Sequence, residues 1–466
     1  MARPRYDRRN LRVGIVHVGV GGFHRAHQAT YLDDLMNAGL ALDWAVCGVG
    51  VLPGDRRMRD ALAAQDHLYT VVAKHPDGTY EARVVGSLVD YLYAPDDPDA
   101  VVERMAHPAT RIVSLTITEG GYEVEPQLRP PAAPTTVFGL VTEALARRRG
   151  RGLAPFAVMS CDNIPGNGHV ARDAFSRFAA LHDPELGDWI RAAVPFPSSM
   201  VDRITPATTE VDRQEISSRL GVDDRWPVVC EPFRQWVLED AFVDRPPLED
   251  AGVTMVDAVE PYELMKLRLL NGSHQALAHA GYLVGHRLVH EVCRDALFAA
   301  FVRHYMEEAT PTLAPVPGVD LDAYKAELVS RFSNAHVRDT VARLCAETSD
   351  RIPAFVLPVA RDNLATGGPV EASAAVVAGW ARYAEGVDEQ GRPIEVVDRI
   401  AARLRAAARA ERTTPLSFLR EREVFGDLVD QPRFTAAYLA VLRSMHERGV
   451  RATLAAVTGH RGAGTG

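Results

Sequence analysis

Short apolar runs at residues 12–18, 44–49, 110–116 and 154–160 alternate with amphipathic stretches, among them residues 28–38 and 139–149. No other feature restricts the fold as much. A strand apolar on both faces cannot meet water on either, so such runs belong in a parallel sheet with helices over both sides, joined by βαβ crossovers. Beyond about residue 260 strand-like runs become scarce and helical patterns take over, at residues 262–283, 294–309 and 398–410. At 466 residues the chain exceeds what one core usually serves. The expectation is an α/β domain over residues 1–258 and a mainly α-helical domain over residues 259–466.

The first run opens the stretch VGIVHVGVGGFHRAHQATYLDDL, in which it breaks into Gly19-Val20-Gly21-Gly22 before a helical pattern. Strand, glycine turn and helix in that order suit a Rossmann-like dinucleotide-binding domain. Helix-start N–H groups then face a pyrophosphate, and the glycines let backbone approach it. Taken alone, such a turn is equally an ordinary tight βα connection. His24 stands where a third glycine is expected, which predicts a helix held further from the strand. His24 and His27, spaced i, i+3, can share one helix face, yet no carboxylate or cysteine nearby completes three or four metal ligands. A cofactor therefore ranks above a metal. A second apolar run, DWAVCGVGVLPGD, leads to Asp55. An acidic residue past the second strand accepts hydrogen bonds from the adenosine ribose and disfavours a 2′-phosphate, which favours NAD. Arg56 and Arg57 work against that inference, since guanidinium groups hold phosphate, and a solvated turn aspartate is the competing reading.

The segment EPYELMKLRLLNGSHQALAHAGYLVG carries four polar groups on an otherwise apolar helix. At about 100° per residue, Lys266 sits at 0°, Glu263 near 60°, His274 near 80° and Asn271 near 140°. A lysine in such surroundings loses hydration of its charged form, so its pKa is expected to fall toward the range of a base near neutral pH. Glu263, one turn before it, is placed to pass protons to water. A surface helix with a Glu263–Lys266 ion pair and Asn271 capping beside Gly272 is the alternative.

A site also needs donors for a developing negative oxygen. SCDNIPGNG follows an apolar run, at the strand edge where open α/β sheets place ligands. Asn163 offers an amide there, and Pro-Gly-Asn-Gly predicts a tight, non-helical path; a simple turn started by Asp162 and Asn163 is the competing reading. VDRITP adds Asp202 and Arg203. His286 and His290 are spaced i, i+4, but no carboxylate joins them in a ligand set.

The formal charge of -9 gives no overall attraction for nucleic acid or an anionic membrane. Five scattered cysteines without a C-x-x-C pair read as reduced thiols in a cytoplasmic protein. The basic start MARPRYDRRNL runs into an apolar stretch cut by His17 and four glycines, unlike a signal peptide. No run approaches the roughly 18 apolar residues of a membrane span. The proline-rich EVEPQLRPPAAP is expected as a surface loop and the tail GHRGAGTG as disordered.

GIVHVGVGGFHRAHQATYLDDL, DWAVCGVGV, SLTITEGGY, SCDNIPGNG, VDRITP and KLRLLNGSH, in this order, resemble the long-chain polyol dehydrogenase family. The K-x-x-x-x-N-x-x-H pattern at Lys266, Asn271 and His274 is the most specific element of the likeness. The resemblance implies hydride transfer between NAD(P) and a secondary alcohol or ketone without metal, with Lys266 as general acid/base. It implies that Asn163 and Asn271 steady the alkoxide, that His274 positions lysine and substrate, and that Glu263 carries protons out. Gly19, Gly21, Gly22 and Phe23 fall in the family's cofactor turn, Asp202 where it keeps a substrate-side carboxylate, and Arg343 or Arg351 loosely at substrate contacts. D-mannitol and D-fructose are the expected pair, with D-arabinitol oxidation or hexuronate (fructuronate, tagaturonate) reduction as alternatives. A monomer or weak homo-oligomer is expected. Outside the family, a metal-dependent sugar isomerase and a non-catalytic nucleotide-binding regulator stay open.

Overall fold

The computed structural model describes residues 1–122 and 136–459. The proline-rich run and the tail from residue 460 lie outside the described residues. The chain divides into two compact units, Met1–Glu260 and Pro261–Gly466.

All the named strands among the described residues fall in the first unit: β1 (Val13–Val18), β2 (Ala45–Gly50), β3 (Tyr69–Lys74), β4 (Tyr80–Val85), β5 (Leu88–Tyr93), β6 (Ile112–Leu115), β7 (Ala157–Ser160), β8 (Ser199–Asp202), β9 (Val228–Cys230), β10 (Gln235–Glu239) and β11 (Thr254–Val256). The main sheet is parallel throughout, in the order β5-β2-β1-β6-β7. Alternate residues of its strands enter two separate apolar clusters. Ile15, Val46, Ile112 and Met159 join one, while Val16, Cys47, Val113 and Val158 join the other. The sheet is therefore buried on both faces, the physical reason its strands read as unbroken apolar runs. The strand order reverses direction between β1 and β6, a crevice at which open α/β sheets bind ligands.

The four expected strands became β1, β2, β6 and β7. The remaining strands were not anticipated. They include two three-stranded sheets, β4-β3-β9 and β11-β10-β8, each mixing parallel and antiparallel pairs. Several are only three or four residues long, below the length at which periodicity distinguishes strand from loop.

The second unit is built from helices. Gly272–Val284 packs against Glu371–Ala384, which in turn packs on Pro432–Thr458. The N-terminus of Glu371–Ala384 is held from a distance: the buried Glu308 carboxylate accepts from Ala372 N at 2.7 Å and Ser373 N at 2.8 Å. Burial pushes Glu308 above the usual carboxylate range, even though these donors favour its charge. Pro432–Thr458 is broken at Gly449 (φ 82), where Glu389 accepts from Val450 N at 2.6 Å.

The predicted uninterrupted α-helix over residues 262–283 requires correction. It is α-helical over Glu260–Met265, π-helical over Lys266–Asn271 and α-helical again over Gly272–Val284. Gly272 N donates to Leu267 O, five residues back.

Candidate active site

In the first unit, β1 is followed directly by Gly19, whose φ of 91 lies in the left-handed region. A Cβ at Gly19 would collide with Thr116 O, so only glycine serves there. Gly21 N donates to Gly19 O at 2.7 Å and closes the turn. Beyond it there is room: a Cβ on Gly21 would find only Gly19 O within reach, at 3.9 Å, and one on Gly22 nothing nearer than 3.6 Å. At the crevice between β1 and β6, that open glycine backbone is what a dinucleotide pyrophosphate requires, so these residues fit the cofactor. Phe23, half-buried, stacks on His27 with ring centroids 4.9 Å apart.

His24 and His27 are buried. The two rings belong to the core. His24 lies parallel to His17 of β1 at a centroid distance of 3.4 Å, filling the gap between strand and helix. His27 Nε2 donates to Gln235 O at 2.8 Å, and the helix breaks at this residue into Gly22–Ala26 and Gln28–Asn37. Burial pushes both imidazoles down to about 3. Among the described residues no three His, Cys, Asp or Glu side chains group as a metal would need. His286 instead approaches Asp295 at 3.6 Å.

Asp55 begins the helix Asp55–Ala63 and its Oδ2 accepts from Val51 N and Leu52 N, both at 2.9 Å. This clamp shapes the turn after β2, so one carboxylate oxygen is already committed. Arg56 is engaged by Asp96 at 2.5 Å, while Arg57 is exposed.

Asn163 stands exposed in the connection after β7. Its neighbours explain why the loop holds its shape. Asp162, buried, accepts from Ile117 N at 3.1 Å, Thr118 N at 2.9 Å and the Tyr122 hydroxyl at 2.8 Å, tying this loop to the one after β6. Asn167 donates to Asp162 O and Ser199 O and accepts from Ser199 N. The expected non-helical path ends sooner than Pro-Gly-Asn-Gly suggested: Asn167 already opens the helix Asn167–Ala180, entered through Gly166 at φ 63. Asp202, buried, closes β8 in register with Gln235. Arg203 beside it holds main chain, donating to Ala26 O at 2.6 Å and Glu231 O at 3.0 Å.

In the second unit the structure brings Glu263, Lys266, Asn271 and His274 onto one interrupted helix. This is no surface helix. Glu263, Lys266 and His274 are 6%, 4% and 6% exposed. The π turn alters their angular relation: in an α-helix residues five apart diverge by about 140°, whereas an i→i+5 ladder sets Asn271 one turn above Lys266. Asn271 Oδ1 is sealed from solvent and has no hydrogen-bond partner among the described residues. His274 lies against Phe332, with centroids 4.5 Å apart.

Arg343 is bound to Asp339 in a fork, Nε to Oδ1 at 2.7 Å and Nη2 to Oδ2 at 2.5 Å. Burial pushes the Asp339 carboxylate up, but Arg343, with a smaller contribution from His274, holds it below the usual range. The Asp339–Arg343 pair is one the sequence reading missed; its i, i+4 spacing was the available signal. Arg351 donates to Arg343 O at 2.8 Å.

The chain matches the family model described as the mannitol dehydrogenase Rossmann domain over residues 13–250, and that of the mannitol dehydrogenase C-terminal domain over residues 258–446. The chain belongs to the mannitol dehydrogenase family. A mannitol 2-dehydrogenase from Phaeosphaeria nodorum is 45% identical over 472 residues, covering 97% of this chain and 82% of that protein. One from Cereibacter sphaeroides is 46% identical, covering 97% and 98%. Among solved structures, Pseudomonas fluorescens mannitol 2-dehydrogenase in ternary complex with NAD and D-mannitol superposes with a TM-score of 0.93 at 46% identity, covering 99% of this chain and 97% of that one.

Proposed function

We propose that this protein is an NAD-dependent polyol dehydrogenase that interconverts D-mannitol and D-fructose. The observation that carries the mechanism is the set of buried Glu263, Lys266 and His274 with half-buried Asn271 on one helix interrupted by a π turn. Gly19, Gly21, Gly22, Phe23 and Asp55 would hold NAD, which would supply the hydride acceptor for oxidation of the carbinol carbon. Lys266 accepts the hydroxyl proton in the oxidation and returns it in the reduction. Amide donors from Asn271 and Asn163 stabilise the negative oxygen as the proton leaves. His274 orients the lysine; Glu263 passes the proton outward; Asp202 and Arg343 contact the substrate. The relatives support the pair of substrates, since the similar proteins from P. nodorum, C. sphaeroides and P. fluorescens are named as mannitol 2-dehydrogenases. The reading includes a monomer or weak homo-oligomer working in the cytoplasm. No described helix is long and apolar enough to cross a membrane.

The deciding experiment is a panel of mannitol, sorbitol and arabinitol with NAD and NADP, and of fructose and the ketohexuronates with NADH and NADPH, followed by nicotinamide absorbance. Mannitol and fructose should give the highest kcat/KM with the non-phosphorylated cofactor. A preference for fructuronate would overturn the substrate and keep the reaction class; chelator-sensitive turnover restored by zinc would overturn the lysine mechanism.

A further inference from the structure

The glycine turn rests on a buried polar assembly that the catalytic scheme leaves unused. Gly19 O accepts from Gly21 N at 2.7 Å and from the Thr116 hydroxyl at 2.7 Å, with His17 Nε2 at 3.2 Å. His17 Nε2 also lies 3.0 Å from Thr116 Oγ1, and His17 Nδ1 2.8 Å from Ser114 Oγ. Counting protons decides the tautomer. Thr116 has one hydroxyl proton, directed at Gly19 O, so its oxygen can only accept from His17; Nε2 carries the hydrogen and Nδ1 accepts from Ser114. His24 Nδ1 faces Gln28 Oε1 at 2.9 Å and donates to it. The hydrogen bonds make His17 neutral, and the two rings stack with an interplanar angle of 12°. Burial holds the two imidazoles far below their ordinary pKa, which keeps both rings neutral near neutral pH.

A standard fingerprint sets the strand-to-helix distance with its third glycine; here a side chain occupies that place. We infer that His17 and His24 position the cofactor turn: His17 acts with Thr116 to fix the Gly19 carbonyl, and His24, stacked on His17, sets the start of the helix. Neither ring has to touch the cofactor. This inference rests on the NAD reading of the turn, and the test separates the two.

Thr116→Val keeps the shape and removes the hydroxyl shared by Gly19 and His17, while His17→Leu removes the ring's hydrogen bonds and its stacking. Each should raise the Kd for NADH, measured by fluorescence titration, by about five- to tenfold, the range given by one or two lost hydrogen bonds. The KM for NAD should rise in parallel, while kcat at saturating cofactor changes far less. His17→Asn, which retains an amide donor, should recover part of the affinity. If His17→Leu does not fold, Thr116→Val decides. Wild-type NADH affinity in the folded variants, or a fall in kcat with Kd unchanged, overturns the inference. Failure of the unsubstituted protein to bind NADH would instead overturn the cofactor reading.

Discussion

Lysine 266 bears the most chemistry of any single residue. Lys266→Ala should lower kcat by orders of magnitude while leaving the Kd for NADH nearly intact, because the amine serves the reacting oxygen. Single-turnover hydride transfer alongside NADH titration would separate the two; near-normal turnover would make the buried polar arc structural. Glu263→Gln should act more mildly, reshaping the pH profile of kcat, since water can bypass a proton relay. Asp55 tests the cofactor preference, and its geometry dictates the substitution. Because Oδ2 already receives Val51 N and Leu52 N, alanine would loosen the turn as well as remove the charge. Asp55→Asn preserves an acceptor, and kcat/KM for NADP should rise relative to NAD. An unchanged ratio would leave Asp55 a turn clamp alone.

At the scale of the element, the π turn over Lys266–Asn271 stands out, because such insertions weaken the regular ladder and persist where packing holds them. Gly272 supplies that packing. A Cβ there would collide with the Tyr305 hydroxyl, so the helix approaches Tyr305 more closely than any side chain at this position allows. Gly272→Ala should cost on the order of 1–3 kcal/mol through overpacking, and should lower kcat more than stability alone explains as Lys266 and Asn271 lose their alignment. Adding Tyr305→Phe should restore part of both, measured by denaturant unfolding and by turnover. Loss of stability with kcat unchanged in the folded fraction would separate the π turn from the chemistry.

For the whole molecule, buried neutral histidines set an acid limit. Burial pushes His24, His27 and His279 down to about 3, whereas an unfolded histidine titrates near 6.5. Below roughly pH 6.5 the unfolded chain takes up protons that the folded one refuses until about pH 3. Stability is therefore fully present above the unfolded value and is lost as pH falls through that window. The urea midpoint should decline steadily from about pH 7 to pH 4, and His24→Phe, which keeps a ring against His17 but cannot take a proton, should reduce the slope. Equal midpoints at both ends of that range would contradict it. What the sequence alone determined is what local physics controls: apolar run length announced β1, β2, β6 and β7, the glycine run marked the turn after β1, and helical periodicity put Glu263, Lys266 and His274 on one side of a helix. What only tertiary structure decided is non-local. His17 finds Ser114 on a neighbouring strand, Asp162 pins a loop that follows β6, and Gly272, where the π turn ends, packs against Tyr305 of another helix. Propensity and periodicity register a residue's near neighbours in the chain, whereas hydrogen-bond partners and steric limits are assigned only when distant segments pack.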